Sequence, residues 1–225
     1  MFVEGALRGQ AIACVSMTQL PDVPLFPLSL VMLPGELVPL HIFEPRYRDM
    51  IAFCVEHEAP FCLVLADDDG MREVGCLTRT IEVLERLPDG RVNLVATGGQ
   101  VARIERIDDG RHTYLSAAVT VLDDDPTARS TPPAMDAAIE LYRSLLRDAD
   151  APADDGVAAG DQLSYELASR VEFPLEVKQS LLEGRAESDR LDRVVAALEE
   201  GRRVLRQSAE RSRRAQTNGK VSHDD

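Results

Sequence analysis

Few residues in this chain could do chemistry, and their spacing argues against it. Lysine occurs at only two of 225 positions, Lys178 and Lys220. A phosphate-cradling loop needs G-x-x-x-x-G-K-[ST], in which backbone N–H groups hold the phosphates and the lysine neutralises them. Val177-Lys178-Gln179 and Gly219-Lys220-Val221 lie in no such context, which excludes nucleotide hydrolysis by that route. A Ser–Lys dyad requires a lysine stripped of its proton by burial. Glu176 and Glu183, close to Lys178 in sequence, favour the charged form instead. No G-x-S-x-G elbow presents a serine for a Ser–His–Asp triad.

The histidines at 41, 57, 112 and 223 are scattered. His57-Glu58 is not followed by the second histidine that a helical zinc site needs. His41, between Leu40 and Ile42, reads as a hydrogen-bonded structural residue. Asp67-Asp68-Asp69-Gly70 and Asp123-Asp124-Asp125 lack the alternation and closing Glu of a calcium loop, so they read as solvated turns. Gly98-Gly99 is too short for a dinucleotide fingerprint. Cysteines 14, 54, 62 and 76 form no C-x-x-C pair, and the last three sit among apolar neighbours as small hydrophobes. No catalytic, cofactor-binding or metal-ligating residue is therefore expected, and no cofactor.

Charge narrows the partners. Asp plus Glu number 39 against 25 Lys plus Arg, a net charge of −14. Such a surface repels phosphate backbones and anionic lipid heads, so nucleic acid and membrane are poor default partners. The stretch from Arg202 to the C-terminus is locally positive and reads as a helix end fraying into a disordered tail over 209–225. No stretch approaches the roughly 18 to 20 apolar residues of a membrane span. Residues 1–16 lack a secretory apolar run, so residues 1–17 read as a disordered arm and the location as cytoplasmic, with reduced thiols.

The elements that must position any site change character along the chain. Residues 18–122 read as mostly strand with one helix, 123–133 as a linker of turn formers, and 134–208 as a helical subdomain. Strands followed by helices predict an α+β fold. Prolines 24, 27, 34 and 39 cannot donate to a ladder, so their strands must be short, bulged or on edges, as in a small curved barrel. Glu44-Pro45 starts a helix whose apolar positions are Tyr47, Met50, Ile51, Cys54 and Val55. Pro88-Asp89-Gly90 marks a hairpin, and Gly98-Gly99 a bend. The helical part shows apolar faces at Ala138, Leu141, Tyr142 and Leu145, at Leu163, Leu167 and Val171, and at Leu175, Val177, Leu181 and Leu182. A last helix, with Ser188 as its N-cap, carries Leu191, Val194, Val195 and Leu198. The acidic stretch Asp148–Asp161 reads as a mobile loop.

The segment Leu25-Phe26-Pro27-Leu28, Leu33-Pro34-Gly35-Glu36, Leu40-His41-Ile42-Phe43-Glu44-Pro45-Arg46-Tyr47 resembles the opening of the Lon protease N-terminal, substrate-binding domain. Three later segments follow the same order: Val74-Gly75-Cys76-Leu77 into Ile81-Glu82-Val83; Leu87 to Leu94; and Gln179 to Glu183 with Arg190-Leu191. The resemblance covers roughly 20–205 and implies a PUA-like pseudo β-barrel followed by a helical bundle. It also implies a non-catalytic module that recognises unfolded or extended polypeptide, as an adaptor or regulator working with a separate ATP-dependent protease. The ATPase and peptidase modules of that family are not in this sequence, so a stand-alone domain is expected. Candidate peptide-contacting residues are Phe43, Glu44, Arg46 and Tyr47, on the cleft between barrel and bundle or on an exposed strand edge. The same residues have structural readings: Phe26, Leu40, Ile42 and Phe43 as core, Gly35 as a turn, and Glu44 with Arg46 bracing the strand-to-helix corner. An RNA-binding PUA-like protein is the alternative, with a basic patch at Arg202–Arg214. The client and the oligomeric state are not readable.

Overall fold

In the computed structural model, which describes residues 18–218, the proline-rich opening becomes β1 (Gln19–Leu28). β1 pairs antiparallel with β7 (Ser116–Leu122) through its first half and parallel with β3 (Cys62–Asp67) through its second. The missing donors of its prolines are absorbed locally. Pro21 falls in the bulge between Leu20 and Val23, and Pro24 sits at the hand-over between the two partners. β1 is thus bulged, but it is not an edge strand.

The remaining strands close a ring. β5 (Val74–Arg86) pairs with β3 and with β6 (Val92–Asp108), and β6 pairs with β7. Two strands hang off this ring: β4 (Gly70–Met71) on β3, and β2 (Leu37–Ile42) on the first half of β6. The 17-residue β6 changes partner from β2 to β7 around Gly98-Gly99, where its register with β5 also slips. A methyl group at Gly98 would lie 2.0 Å from the Leu33 carbonyl oxygen, so only glycine lets the Leu33–Glu36 turn dock there. Gly35 holds φ at +80°, as its place in that turn requires.

Helix α1 (Pro45–Glu56) buries Tyr47, Met50, Ile51 and Cys54 against the barrel, while Val55 stays exposed. After β7 come α2 (Pro132–Asp148), α3 (Leu163–Arg170), α4 (Leu175–Glu183) and α5 (Glu187–Asn218). Thr131 caps α2 by accepting from the Ala134 N–H at 3.4 Å, and Pro132-Pro133 begin the helix. Helix α5 packs against α2, α3 and α4 in turn, and Leu191, Val194 and Leu198 are buried on it. One apolar core runs from Phe26 and Leu40 in the barrel through Tyr142 and Leu167 to Leu198. The α+β arrangement of a small barrel followed by helices is the one expected.

Four local expectations are corrected. Phe43 is 60% exposed: Ile42 points inward, and the residue after it points out before α1 begins. Ser188 is not a cap, because α5 begins one residue earlier and Glu187 turns inward instead. Helix α5 runs on to Asn218 rather than ending at 208, carried by ion pairs of the i,i+4 kind such as Glu210–Arg214. The acidic loop after α2 is pinned: Asp154 accepts from the Tyr142 hydroxyl at 2.9 Å and from Arg170, and Val157 is buried. The arm expected over 1–17 and the tail from 219 lie outside the described residues.

Candidate polypeptide-binding surface

Strand β2 is the place to begin, because it pairs with β6 alone among the described residues. Leu37 lies opposite Thr97, and the Gly98 N–H donates to the Glu36 carbonyl at 2.9 Å. In an antiparallel ladder this alternation turns Val38, Leu40 and Ile42 toward β6. The backbone groups of Leu37, Pro39 and His41 then face away from the sheet. Pro39 therefore sits where its missing donor breaks no bond, as an edge strand allows. The same three residues are exposed, while Val38, Leu40 and Ile42 are buried.

The stripe on this edge is apolar. Leu37 is 66% exposed and Phe43 60%, where water gains nothing from meeting them. His41 stacks on Phe43 with ring centroids 6.2 Å apart. The Asn93 amide donates to Glu85 at 3.0 Å, so its oxygen accepts from His41 Nδ1 at 2.6 Å. His41 is hydrogen-bonded, as expected, but on the surface.

Facing the first half of β2 across a groove is the α3–α4 connector. Its backbone is extended at Val171 (φ −126°, ψ 136°) and at Pro174 (φ −52°, ψ 148°). Glu172 and Phe173 make no backbone hydrogen bond to other described residues. The groove has two adjoining hollows, of about 550 and 400 Å³, that share Glu36, Leu37, Ser169 and Arg170 in their walls. Its apolar lining includes Leu30, Val31, Pro39 and Leu175. The open edge of β2 and the connector thus line the same groove.

An ion pair fixes the groove's width. Lys178 on α4 donates to Glu36 at 2.6 Å, and the other Glu36 oxygen accepts from the Leu33 N–H at 2.9 Å. Both side chains are about 85% buried, with 14% and 15% exposure. Next to it, Gln179 Nε2 donates to the Val74 carbonyl at 3.1 Å. The neighbour of Lys178 is therefore Glu36, not the sequence-local Glu176 or Glu183. Nothing in the sequence near either residue signals a contact between positions 142 apart.

A second network ties the end of the barrel to the helices. Arg190 has no exposed surface and uses all five N–H groups. It meets Asp124 twice (2.8 and 2.6 Å), Glu187 (2.7 Å), Ser164 Oγ (3.1 Å) and the Gly184 carbonyl (3.0 Å). Its guanidinium lies 4.3 Å over the Tyr165 ring. Glu187 in turn accepts from the Ser164 N–H and hydroxyl, at 2.9 and 2.6 Å. Asp124 is thus an anchor rather than a solvated turn residue.

The four sequence candidates separate. Phe43 lies on the exposed stripe. Glu44 and Arg46 pair with each other at 2.9 Å, both partly exposed, and Arg46 covers the Tyr47 ring at 4.4 Å. Tyr47 is 6% exposed and packs 4.5 Å from the Phe26 ring, and that burial raises its hydroxyl pKa. Leu37 and the α3–α4 connector were missed. The alternation of β2 carried a signal for Leu37, whereas the connector's place beside it had none.

Comparison with known proteins agrees with this architecture. The crystal structure of a Lon N-terminal domain protein from Xanthomonas campestris superposes with a TM-score of 0.62 at 26% identity, covering 79% of this chain and 98% of that one. The N-terminal domain of a Mycobacterium avium complex Lon protease superposes at 0.58 with 19% identity, covering 79% and 98%, and so shares the fold. In sequence the chain is 27% identical to the Lon protease of Paraburkholderia phytofirmans over 97% of this chain and 29% of that protein. It is 25% identical to the Lon protease of Escherichia coli K12 over 79% and 24%. The chain spans about a quarter of the length of these relatives. The model of the ATP-dependent protease La (LON) substrate-binding domain matches residues 22–200. This chain belongs to the Lon substrate-binding domain family.

Proposed function

We propose that the chain recognises polypeptide in extended form, by strand addition to the open edge of β2 along the groove beside α3 and α4. The observation that carries this reading is the pairing of an unsatisfied strand edge with the exposed Leu37 and Phe43. Main-chain bonds would give affinity without demanding a sequence, and the apolar stripe would favour segments that folded proteins hide. Phe43, Glu44 and Arg46 remain at the rim of this surface, and Tyr47 supports it from the core. The module binds rather than cuts, in the cytoplasm, and hands its client to an ATP-dependent protease or regulates one. Burial pushes the Cys54 and Cys76 thiols up to about 12, far from a nucleophilic thiolate.

Several cations of the RNA alternative's basic patch are already paired. Arg202 and Arg206 both pair with Asp148, and Arg203 pairs with Glu200. No helix among the described residues is long and apolar enough to cross a membrane.

The test is fluorescence anisotropy with a labelled, permanently unfolded polypeptide. Binding should be saturable, and Leu37→Asp should weaken it about tenfold or more while the melting temperature stays unchanged. Equal binding by the wild type and Leu37→Asp would move the site elsewhere.

A further inference from the structure

The groove has a charge pattern that the fold does not require. Four carboxylates line or brace it, Glu36, Glu166, Glu172 and Asp154, against the two cations Lys178 and Arg170. Both cations are committed. Lys178 is held by Glu36, and Arg170 lies between Asp154 at 2.5 Å and Glu166 at 3.0 Å. Glu172 is exposed on the extended connector and has no ion-pair or hydrogen-bond partner among the described residues. It faces a slot whose other wall is the apolar Leu37–Pro39 edge. The whole chain adds a background of −14.

We infer that Glu172 selects among extended clients, favouring apolar segments that carry an arginine or lysine over those that carry an acidic residue. The inference rests on the proposed strand-addition site. A strand seated between β2 and the connector alternates its side chains, and those on the exposed side of the slot pass Glu172. A client cation there meets a carboxylate with no competing partner. A client anion meets an excess of like charge and no uncommitted cation among the described residues that line the groove. Such a rim charge sets preference and salt dependence more than total affinity.

Two labelled peptides test this, identical in their apolar residues and differing only in carrying two arginines or two glutamates. The full chain and its Glu172→Gln and Glu172→Arg variants are compared at low salt and at 0.5 M salt. The wild type is expected to bind the arginine peptide about fivefold tighter, near the upper limit for an exposed charge pair. The ratio should fall toward one in Glu172→Gln, reverse in Glu172→Arg, and shrink at high salt for the wild type. Equal, measurable binding of both peptides by the wild type would overturn charge selection and leave the strand-addition site standing. A preference unchanged in Glu172→Gln would overturn the role of this residue. If neither peptide bound, the site and the selection would both fall.

Discussion

On one side of the joint between barrel and helices, Arg190 is fully buried with each of its N–H groups bonded. On the other, Leu37 is 66% exposed beside a strand edge with no partner among the described residues. The first side spends charge to hold three chain segments together: the end of β7, the start of α3 and the start of α5. The second leaves apolar surface and main-chain groups open, although the same joint could have sealed them. The Arg190 network holds the two parts together, and the Glu36–Lys178 pair spans them from that fixed frame.

The largest expected effect comes from breaking the closed side. Arg190→Ala leaves Glu187 buried without its cation and strips the half-buried Asp124 of its nearer one, which costs about 3 kcal/mol. At about 2–4 °C per kcal/mol for a chain this size, calorimetry should show a fall of roughly 6 to 12 °C. The next pair sharpens the contrast within one motif. Tyr47→Ala should cost about 3 kcal/mol in urea unfolding through lost core packing. Phe43→Ala should stay within about 0.5 kcal/mol yet weaken binding of unfolded polypeptide. Gly98→Ala must push back the Leu33 carbonyl, costing about 1 to 3 kcal/mol and loosening the Glu36 turn, so binding and stability should fall together.

The smallest effect lies in alkaline titration. Burial raises the Cys54 thiol from 9.0 to about 12. A raised folded value gives stability that is complete below pH 9 and lost as pH climbs toward 12. The loss is less than about 1 kcal/mol per thiol at pH 9.5. Cys54→Ala should flatten that part of the stability–pH curve.

The comparison also explains what the sequence could disclose. The apolar spacing of α1 and of the last helix, the Pro88-Asp89-Gly90 turn and the bulged proline strand are local patterns, and each marked its element. Phe43 misled because apolar character signals a core only when strand phase agrees, and the phase set by Ile42 turns it outward. The Arg190 and Glu36–Lys178 networks join residues far apart in sequence, so no window of the chain contains them. The groove itself lies between two backbone segments more than 130 residues apart in the chain. A family resemblance could point to such a surface but could not draw it.

Amide hydrogen exchange with and without an unfolded polypeptide reads the addition of an extended client to β2. Exchange should slow at the outward-facing amides of Leu37 and His41, with the β6-bonded amides of Val38 and Leu40 little changed. Unchanged exchange at Leu37 and His41 under saturating client would contradict it.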